Sequence, residues 1–355
     1  MSFLDHPLRI AGNNSYFAAM NSHRGFLSYF STLFAPYRKY IIKGGPGCGK
    51  STLMKKLAKE AEQKGMETIR YYCSSDSTSL DAVVIPALQI ALLDGTPPHA
   101  TEPSCIGAID SLVNLSVFWQ TQKLQQHAKE IRSLSKSISH SYQRVYHLMA
   151  AVCEIQKAIW VNASLIFDQT RAKAILTRFF EKHRLQEETA PQCITRPASA
   201  FGVKGYVHFT SYERKAQTII EVQDRVVYSE FFFSLLKETL RQKKISFEES
   251  IRPIDEATES VYLPQNKLLF TRLESENATG KINLDRMLPE RGKGALTSHK
   301  VLLREVDSLC LNITEILHEI GKQHDTLESY YIAATDYSAL NQFSEELINS
   351  ILAEE

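Results

Sequence analysis

Four glycines, Gly44, Gly45, Gly47 and Gly49, lead directly into Lys50-Ser51-Thr52. Gly44, four residues, then Gly49-Lys50-Ser51 is the spacing of a phosphate-binding loop. Glycine permits backbone torsions closed to other residues and lets the main chain approach an oxyanion, so successive N–H groups can turn inward as an anion-holding nest. A helix beginning near Lys50 would add the positive end of its dipole. Lys50 brings one compact cation for β- and γ-phosphate oxygens, and the Ser51 hydroxyl stands where Mg2+ is ligated. Pro46 and Cys48 complete the loop, and Thr52 is a candidate α-phosphate contact.

Such a loop needs a second acid for its metal, normally at the end of a buried strand. The apolar run Ala87–Asp94 offers Asp94, against the reading of Asp94-Gly95 as a strand-ending turn. Lys50 and Asp94 are therefore the candidate catalytic pair, and Ser51 and Asp94 the candidate metal ligands. Gly95 stands where many motor-type ATPases carry a water-activating Glu, which predicts slow hydrolysis. Thr68–Cys73 reads as a further strand, and Cys73–Asp81 behind it crowds hydroxyls and two carboxylates into nine residues. That segment is either a ligand-facing loop at strand ends or a capped turn. His99, after Thr96-Pro97-Pro98, either faces the same cleft or is solvated.

The elements that must hold these residues are legible around them. Tyr40-Ile41-Ile42 is a short β-prone run, and Leu53, Met54, Leu57 and Ala61 recur at helical spacing through Leu53–Lys64. Arg24–Phe30 is a small apolar cluster expected to pack under the first strand. Beyond Trp119, Leu124, Ile131, Leu134, Ile138, Val145, Leu148, Val152, Ile155 and Ile159 form a heptad-like seam, which predicts a long amphipathic helix. A second helical stretch, Ala163–Arg184, is expected to turn back along it, and Pro191–Pro197 to mark a boundary. Two units are predicted, 1–190 and 191–355.

The second unit appears as a copy of the first. A shift of 178 positions lays Ile41–Leu92 on Ile219–Phe270 without a gap, with eight identities in 52 positions. A second heptad seam follows at Leu302, Val306, Leu309, Ile313, Ile316 and Ile320. On this alignment Gly44, Gly47 and Gly49 fall on Val222, Arg225 and Val227, Lys50 on Tyr228 and Asp94 on Arg272, so the copy has lost the phosphate chemistry. Arg225, Arg272 and Arg291 are candidates to reach across to the first site.

Composition narrows the field. The chain has 355 residues, 43% hydrophobic and 23% charged, with a net charge of +1. These values suit folded globular units and give no general field for a phosphodiester backbone, so nucleic acid is not expected as a partner. No apolar stretch suggests a membrane span and the start lacks a secretory layout, so a cytoplasmic location is expected. Six cysteines stand singly, without zinc-ligand spacing, and are read as reduced thiols.

Lys43–Lys56 (KGGPGCGKSTLMKK), Tyr72–Leu88 (YCSSDSTSLDAVVIPAL) and Ile90–His99 (IALLDGTPPH) resemble a bacterial family of duplicated P-loop proteins of about this length. Its members are labelled ATP-binding protein, ATPase or nucleotide kinase. The resemblance implies two α/β units with paired long helices, and ATP as the ligand; Mg2+ is expected from Ser51 and Asp94. The family's second repeat commonly carries its own P-loop, and Gln223–Glu230 (QDRVVYSE) departs from that. A guanine-reading Asn-Lys-x-Asp is missing as well, since Asn266-Lys267 is followed by Leu268-Leu269. The expected fold is an α/β P-loop NTPase domain with a parallel sheet and a long helical hairpin, followed by a degenerate second copy. The expected activity is a slow Mg-dependent ATPase or switch, coupled through its long helices to a protein partner or second subunit. A small-molecule or nucleotide kinase is one alternative, and a nucleotide-stabilised coiled-coil scaffold another.

Overall fold

The β-prone run at Tyr40–Ile42 and the helical spacing after Lys50 become a strand and a helix joined by the glycine loop. The computed structural model describes residues 3–165, 167–224, 229–287 and 295–353. Its first half contains β1 (Leu8–Ile10), β2 (Ser15–Phe17), β3 (Ala19–Ser22), β4 (Gly25–Ser28), α1 (Phe30–Leu33), β5 (Arg38–Lys43) and α2 (Lys50–Gln63). There follow β6 (Ile69–Tyr72), β7 (Leu80–Ile85), β8 (Ile90–Asp94), β9 (Ser111–Asn114), α3 (Thr121–Gln126), α4 (Ala128–Ser164) and α5 (Gln169–His183).

Six of these strands form a sheet in the order β2-β6-β7-β8-β5-β9. The fold is mixed α/β, and the sheet is mixed rather than wholly parallel. β7 runs antiparallel to both β6 and β8, while the β2/β6, β8/β5 and β5/β9 pairs are parallel. The reason is local. Pro86 opens a 3-10 turn, Pro86–Leu88, and Gln89 follows with φ +53°, so the expected single run Ala87–Asp94 is a turn and then a strand that starts at Ile90. A link this short can join only antiparallel neighbours.

The second half repeats this plan. It contains β10 (Cys193–Thr195), β11 (Ser199–Gly202), β12 (Gly205–Phe209), α6 (Ser211–Lys215), β13 (Thr218–Gln223), α7 (Ser229–Gln242), β14 (Phe247–Ile251) and β15 (Thr258–Leu263). β16 (Leu268–Thr271), β17 (Gly280–Asn283), α8 (Ala295–Ala334) and α9 (Tyr337–Leu352) complete it. The sheet order is β10-β14-β15-β16-β13-β17, with the same pattern of parallel and antiparallel pairs. Even the register shift recurs, between Tyr71 and Tyr72 in one sheet and Ser250 and Ile251 in the other. The gapless alignment needs adjustment at the first strand of the loop motif, because Arg38 of β5 pairs with Ile90 whereas Thr218 of β13 pairs with Leu268. By strand register Arg38 corresponds to Thr218, so the first loop residue, Gly44, corresponds to Asp224 rather than Val222. Arg225, Val227 and Tyr228, and Arg291 further on, lie outside the described residues.

The cores cross the 190/191 boundary. α2 buries Leu53, Met54, Leu57, Ala58 and Ala61 against its own sheet and against Leu340, Ile348, Ile351 and Leu352 of α9. Reciprocally, Ala172, Leu176 and Phe180 of α5 pack with Phe232, Phe233, Leu236 and Leu240 of α7. α5 thus docks on the second half instead of turning back along α4. The opposite sheet faces meet in the middle through Tyr71, Ala82 and Leu93 on one side and Ile219, Tyr262 and Leu269 on the other. β1 joins the second half as well, parallel to β12. Pro191–Pro197 contains β10, an outer strand of the second sheet, and is no mere linker.

The two heptad seams meet each other. Val145, Met149 and Val152 of α4 pack with Val306, Cys310, Ile313, Leu317 and Ile320 of α8. Leu124 falls on α3, before a break at His127. No single helix among the described residues is long and apolar enough to cross a membrane.

Candidate functional site

β5 and β8 are parallel neighbours with Ile42 opposite Asp94, so the chain leaves both strands at the same end of the sheet. There the glycine loop turns into α2. Gly47 and Gly49 have φ +68° and +84°, in the left-handed region that favours glycine. Gly49 is the N-cap of α2 and makes no side-chain cap, so the positive helix end is left without a carboxylate or hydroxyl of its own. A Cβ on Gly44 would come 2.5 Å from Cys48 Sγ. Cys48 is buried, and burial raises its thiol pKa. Pro46 is half-buried, and Thr52 is exposed on α2.

Lys50 Nζ donates to the carbonyls of Gly44 and Gly45 at 2.9 and 2.8 Å and lies 3.6 Å from Asp94 Oδ2. Asp94 accepts from Thr96 N at 2.9 Å and from the Thr96 hydroxyl at 2.6 Å. Burial raises the Asp94 carboxyl pKa, and the Lys50 charge opposes that rise. Ser51 Oγ accepts from Leu80 N at 3.0 Å, which ties the start of α2 to β7. Lys50, Ser51 and Asp94 therefore stand together at one sheet end.

The hydroxyl-rich segment divides into two parts. Asp76 turns back on Thr78, accepting from its N at 3.0 Å and its hydroxyl at 2.7 Å, as a capped turn does. Asp81 instead points into the structure and meets His99, with Oδ2 and Nε2 3.0 Å apart. His99 is buried, stacked on Phe30 at 4.9 Å and met edge-on by Phe26. Its loop is fixed by Lys43 Nζ, which donates to Gly95 O at 2.9 Å and Thr101 O at 3.0 Å. Burial alone would lower the His99 pKa, but Asp81 and then Asp94 outweigh it and raise the pKa. The Arg24–Phe30 cluster thus serves to enclose this histidine.

Residues far away in sequence support the loop. A Cβ on Gly45 would come 2.8 Å from the Tyr331 ring and 3.3 Å from Trp119, and one on Gly47 3.0 Å from Ile332. Tyr337 OH donates to Gly47 O at 2.9 Å, and Leu340 lies beside Gly49. The α8–α9 junction therefore braces the loop where its glycines have no side chains. Motif reading missed these contacts, because a hydrogen bond across 290 positions leaves no local pattern.

The corresponding end of the second sheet is closed by its own side chains. Asp224 Oδ2 accepts from Ser229 N at 2.6 Å, so a carboxylate meets the first described amide of α7. Glu230 accepts from Thr258 N at 3.0 Å, as Ser51 does from Leu80 N. Arg272 replaces Asp94, and its charge acts on Glu230.

A family model described as Nephrocystin 3, N-terminal, matches residues 35–165. The match runs from just before β5 through α4 and includes the glycine loop, Asp81, Asp94 and His99. No curated protein and no solved structure matches the chain.

Proposed function

We propose that the N-terminal half is a P-loop nucleotide-binding unit that takes Mg-ATP, and that the chain works as a slow ATPase or nucleotide-dependent switch. In this reading 1–190 is the P-loop NTPase domain and 191–355 its degenerate copy. The observation that carries it is a contrast between equivalent helix ends. The first described amide of α7, Ser229 N, donates to the Asp224 carboxylate, whereas Gly49, the N-cap of α2, offers no side chain and Lys50 folds over the loop beside it. A nest with a free helix terminus and an ammonium group suits a polyphosphate.

The residues present fit the ligand. Main-chain N–H groups of residues 44–49 other than Pro46 would hold the β-phosphate, and Lys50 would exchange its carbonyl contacts for β- and γ-phosphate oxygens. Ser51 Oγ accepts one hydrogen bond from Leu80 N and keeps a lone pair for Mg2+, with Asp94 as the second metal ligand. Mg2+, when bound, would neutralise charge on the transferring phosphate. Gly95 after Asp94 supplies no carboxylate for activating water, in keeping with slow turnover.

Titration calorimetry tests the reading. Lys50→Ala removes charge-assisted bonds of about 1.5–3 kcal/mol, or about 10–100-fold in Mg-ATP affinity. One nucleotide per chain is expected. Unchanged affinity in the variant, or two equal sites in the wild type, would remove the basis for the assignment. Phosphate release from ATP alone supports the switch, and turnover only with an added acceptor supports phosphotransfer.

A further inference from the structure

Three side chains beside the glycine loop converge on one point. Cys73 follows β6, Asp81 lies in β7 and His99 in the loop after β8. Their ligand atoms all lie within 4.8 Å of one another. Asp81 is 4% exposed and His99 7%. Asp81 Oδ2 and His99 Nε2 are 3.0 Å apart, and among the described residues Asp81 Oδ2 has no hydrogen-bond donor and His99 Nδ1 no partner. A buried carboxylate oxygen is costly to leave unmatched. With the Cys73 thiol beside them, the Asp81 carboxylate and the His99 imidazole are placed as neighbouring ligands of a common ion are. Adjacent ligands of a tetrahedral zinc stand about 3.3–3.5 Å apart, given bonds of about 2.0 Å to N and O and about 2.3 Å to S.

The other half of the molecule supplies an internal comparison. β7 and β15 correspond with an offset of 178, so Asp81 matches Glu259. Glu259 is also buried, but Ser199, Ser250 and Tyr206 donate to it and His208 lies 3.3 Å away. At the same place in the sheet, Glu259 accepts from three hydroxyls, whereas Asp81 stands with a histidine and a thiol within 4.8 Å.

We propose that Cys73, Asp81 and His99 form a binding site for a zinc-class divalent cation, with three protein ligands and an open fourth position beside the phosphate loop. One thiolate, one imidazole and one carboxylate suit zinc and its borderline neighbours, whereas Mg2+ avoids sulfur. The site is therefore chemically distinct from the Mg2+ position at Ser51 and Asp94. The supports are built in. The His99 ring is stacked on Phe30, and the Cys73–Ser79 loop is held by Val203 N to Ser75 O at 2.9 Å and by Tyr142 OH to Ser75 Oγ at 2.7 Å. Such second-layer contacts fix ligand orientation before the ion arrives. The ligands stand at 73, 81 and 99, a spacing that no compact zinc motif contains.

Cobalt titration of the full chain, freed of metal by chelation and without nucleotide, tests the proposal. One cobalt per chain is expected, with a thiolate-to-cobalt charge-transfer band in the near ultraviolet, tetrahedral visible bands, and displacement by zinc. Cys73→Ser should abolish the charge-transfer band, and His99→Asn should weaken binding by about tenfold or more. Lys50→Ala should leave the spectrum unchanged, so failure here and failure of the ATP reading are separable. A full-intensity band in Cys73→Ser, or no cobalt uptake by the wild type, overturns the site. If the variants do not fold, alkylation of the wild type decides the matter. Zinc should protect Cys73 and leave exposed Cys105 reactive, and equal labelling of Cys73 with and without zinc refutes the proposal.

Discussion

His208 lies between two carboxylates with almost no water around it. Its Nε2 is 2.9 Å from Glu213 Oε1 and its Nδ1 3.3 Å from Glu259 Oε2, while Arg9 reaches Glu213 from outside at 2.7 Å. Burial alone would lower the His208 pKa, but Glu213 and Glu259 raise it to about 9. Burial would raise Glu213, but His208 and Arg9 draw it down to about 2. The signs set two flanks. The His208 contribution is complete below its ordinary value of 6.5 and is lost as pH rises through about 9. The Glu213 contribution is complete above 4.5 and is lost as pH falls toward about 2. A rise from 6.5 to about 9 corresponds to roughly 3 kcal/mol. Urea unfolding of wild type and His208→Gln should therefore show a stability gap that narrows by roughly that amount from about pH 6 to about pH 10. A gap that stays constant across the range would show that the pair is not ionised in the folded protein. Residues of this kind were hard to read in advance. The glycine loop and Lys50 are legible because their chemistry is contiguous, and Asp94 because a buried strand ends on it. The Asp81–His99 and Glu259–His208 pairs form only when separate strands meet. The repeat offset, which lays Asp81 on Glu259, was the one sequence signal that could have flagged them.

At the scale of elements, α4 and α8 tie the two halves together, and the heptad spacing predicted their existence better than their partners. Val145, Val152, Val306, Ile313 and Ile320 lie in the seam as expected. The expected Leu148, Leu309 and Ile316 are only partly buried at its margin, while Met149, Cys310 and Leu317 are fully buried in it. A heptad count places the stripe, but an antiparallel helix and the edge of β11–β12 select the residues within it. Periodicity also could not say that the partner helix comes from the other half, because either hairpin would bury the same stripe. Leu317 is fully buried, so Leu317→Ala should cost about 2–5 kcal/mol in unfolding free energy. The exposed Leu311 on the same helix gives the comparison, and its alanine variant should change stability by no more than about 0.5 kcal/mol. Similar losses at both positions would mean that α4 and α8 separate in solution. The same helix pair touches the site at both ends. α8 ends at Tyr331 and Ile332 against the glycine loop, and α4 contacts the Cys73–Ser79 loop through Tyr142. A change in loop geometry on nucleotide binding would therefore be felt first by these two helices.

For the whole molecule, the exchange of α5 and α9 decides what can fold alone. Each sheet buries one face under its own helix and under a helix contributed by the other half. A chain cut at 190/191 keeps the first sheet intact but removes Leu340, Ile348, Ile351 and Leu352 from the core around α2. At about 1.5–3 kcal/mol for each buried side chain, that is about 6–12 kcal/mol, comparable to the whole stability of an ordinary domain at about 5–15 kcal/mol. The central layer between the sheets is lost in the same cut, leaving Ala91 and Leu93 without Ile219 and Leu269. Residues 191–355 lose α5 from α7, and also β1 from β12. Neither fragment should therefore show cooperative unfolding alone, whereas the two co-expressed should associate one to one and recover the helical signal of the intact chain. Circular dichroism during thermal unfolding, with size-exclusion chromatography of the mixture, reads both outcomes. A fragment 1–190 that unfolds cooperatively as a monomer would show that α9 is an accessory to the first half. In that case the bracing of the glycine loop by Tyr331 and Tyr337 would be dispensable, and nucleotide binding by the fragment alone would follow.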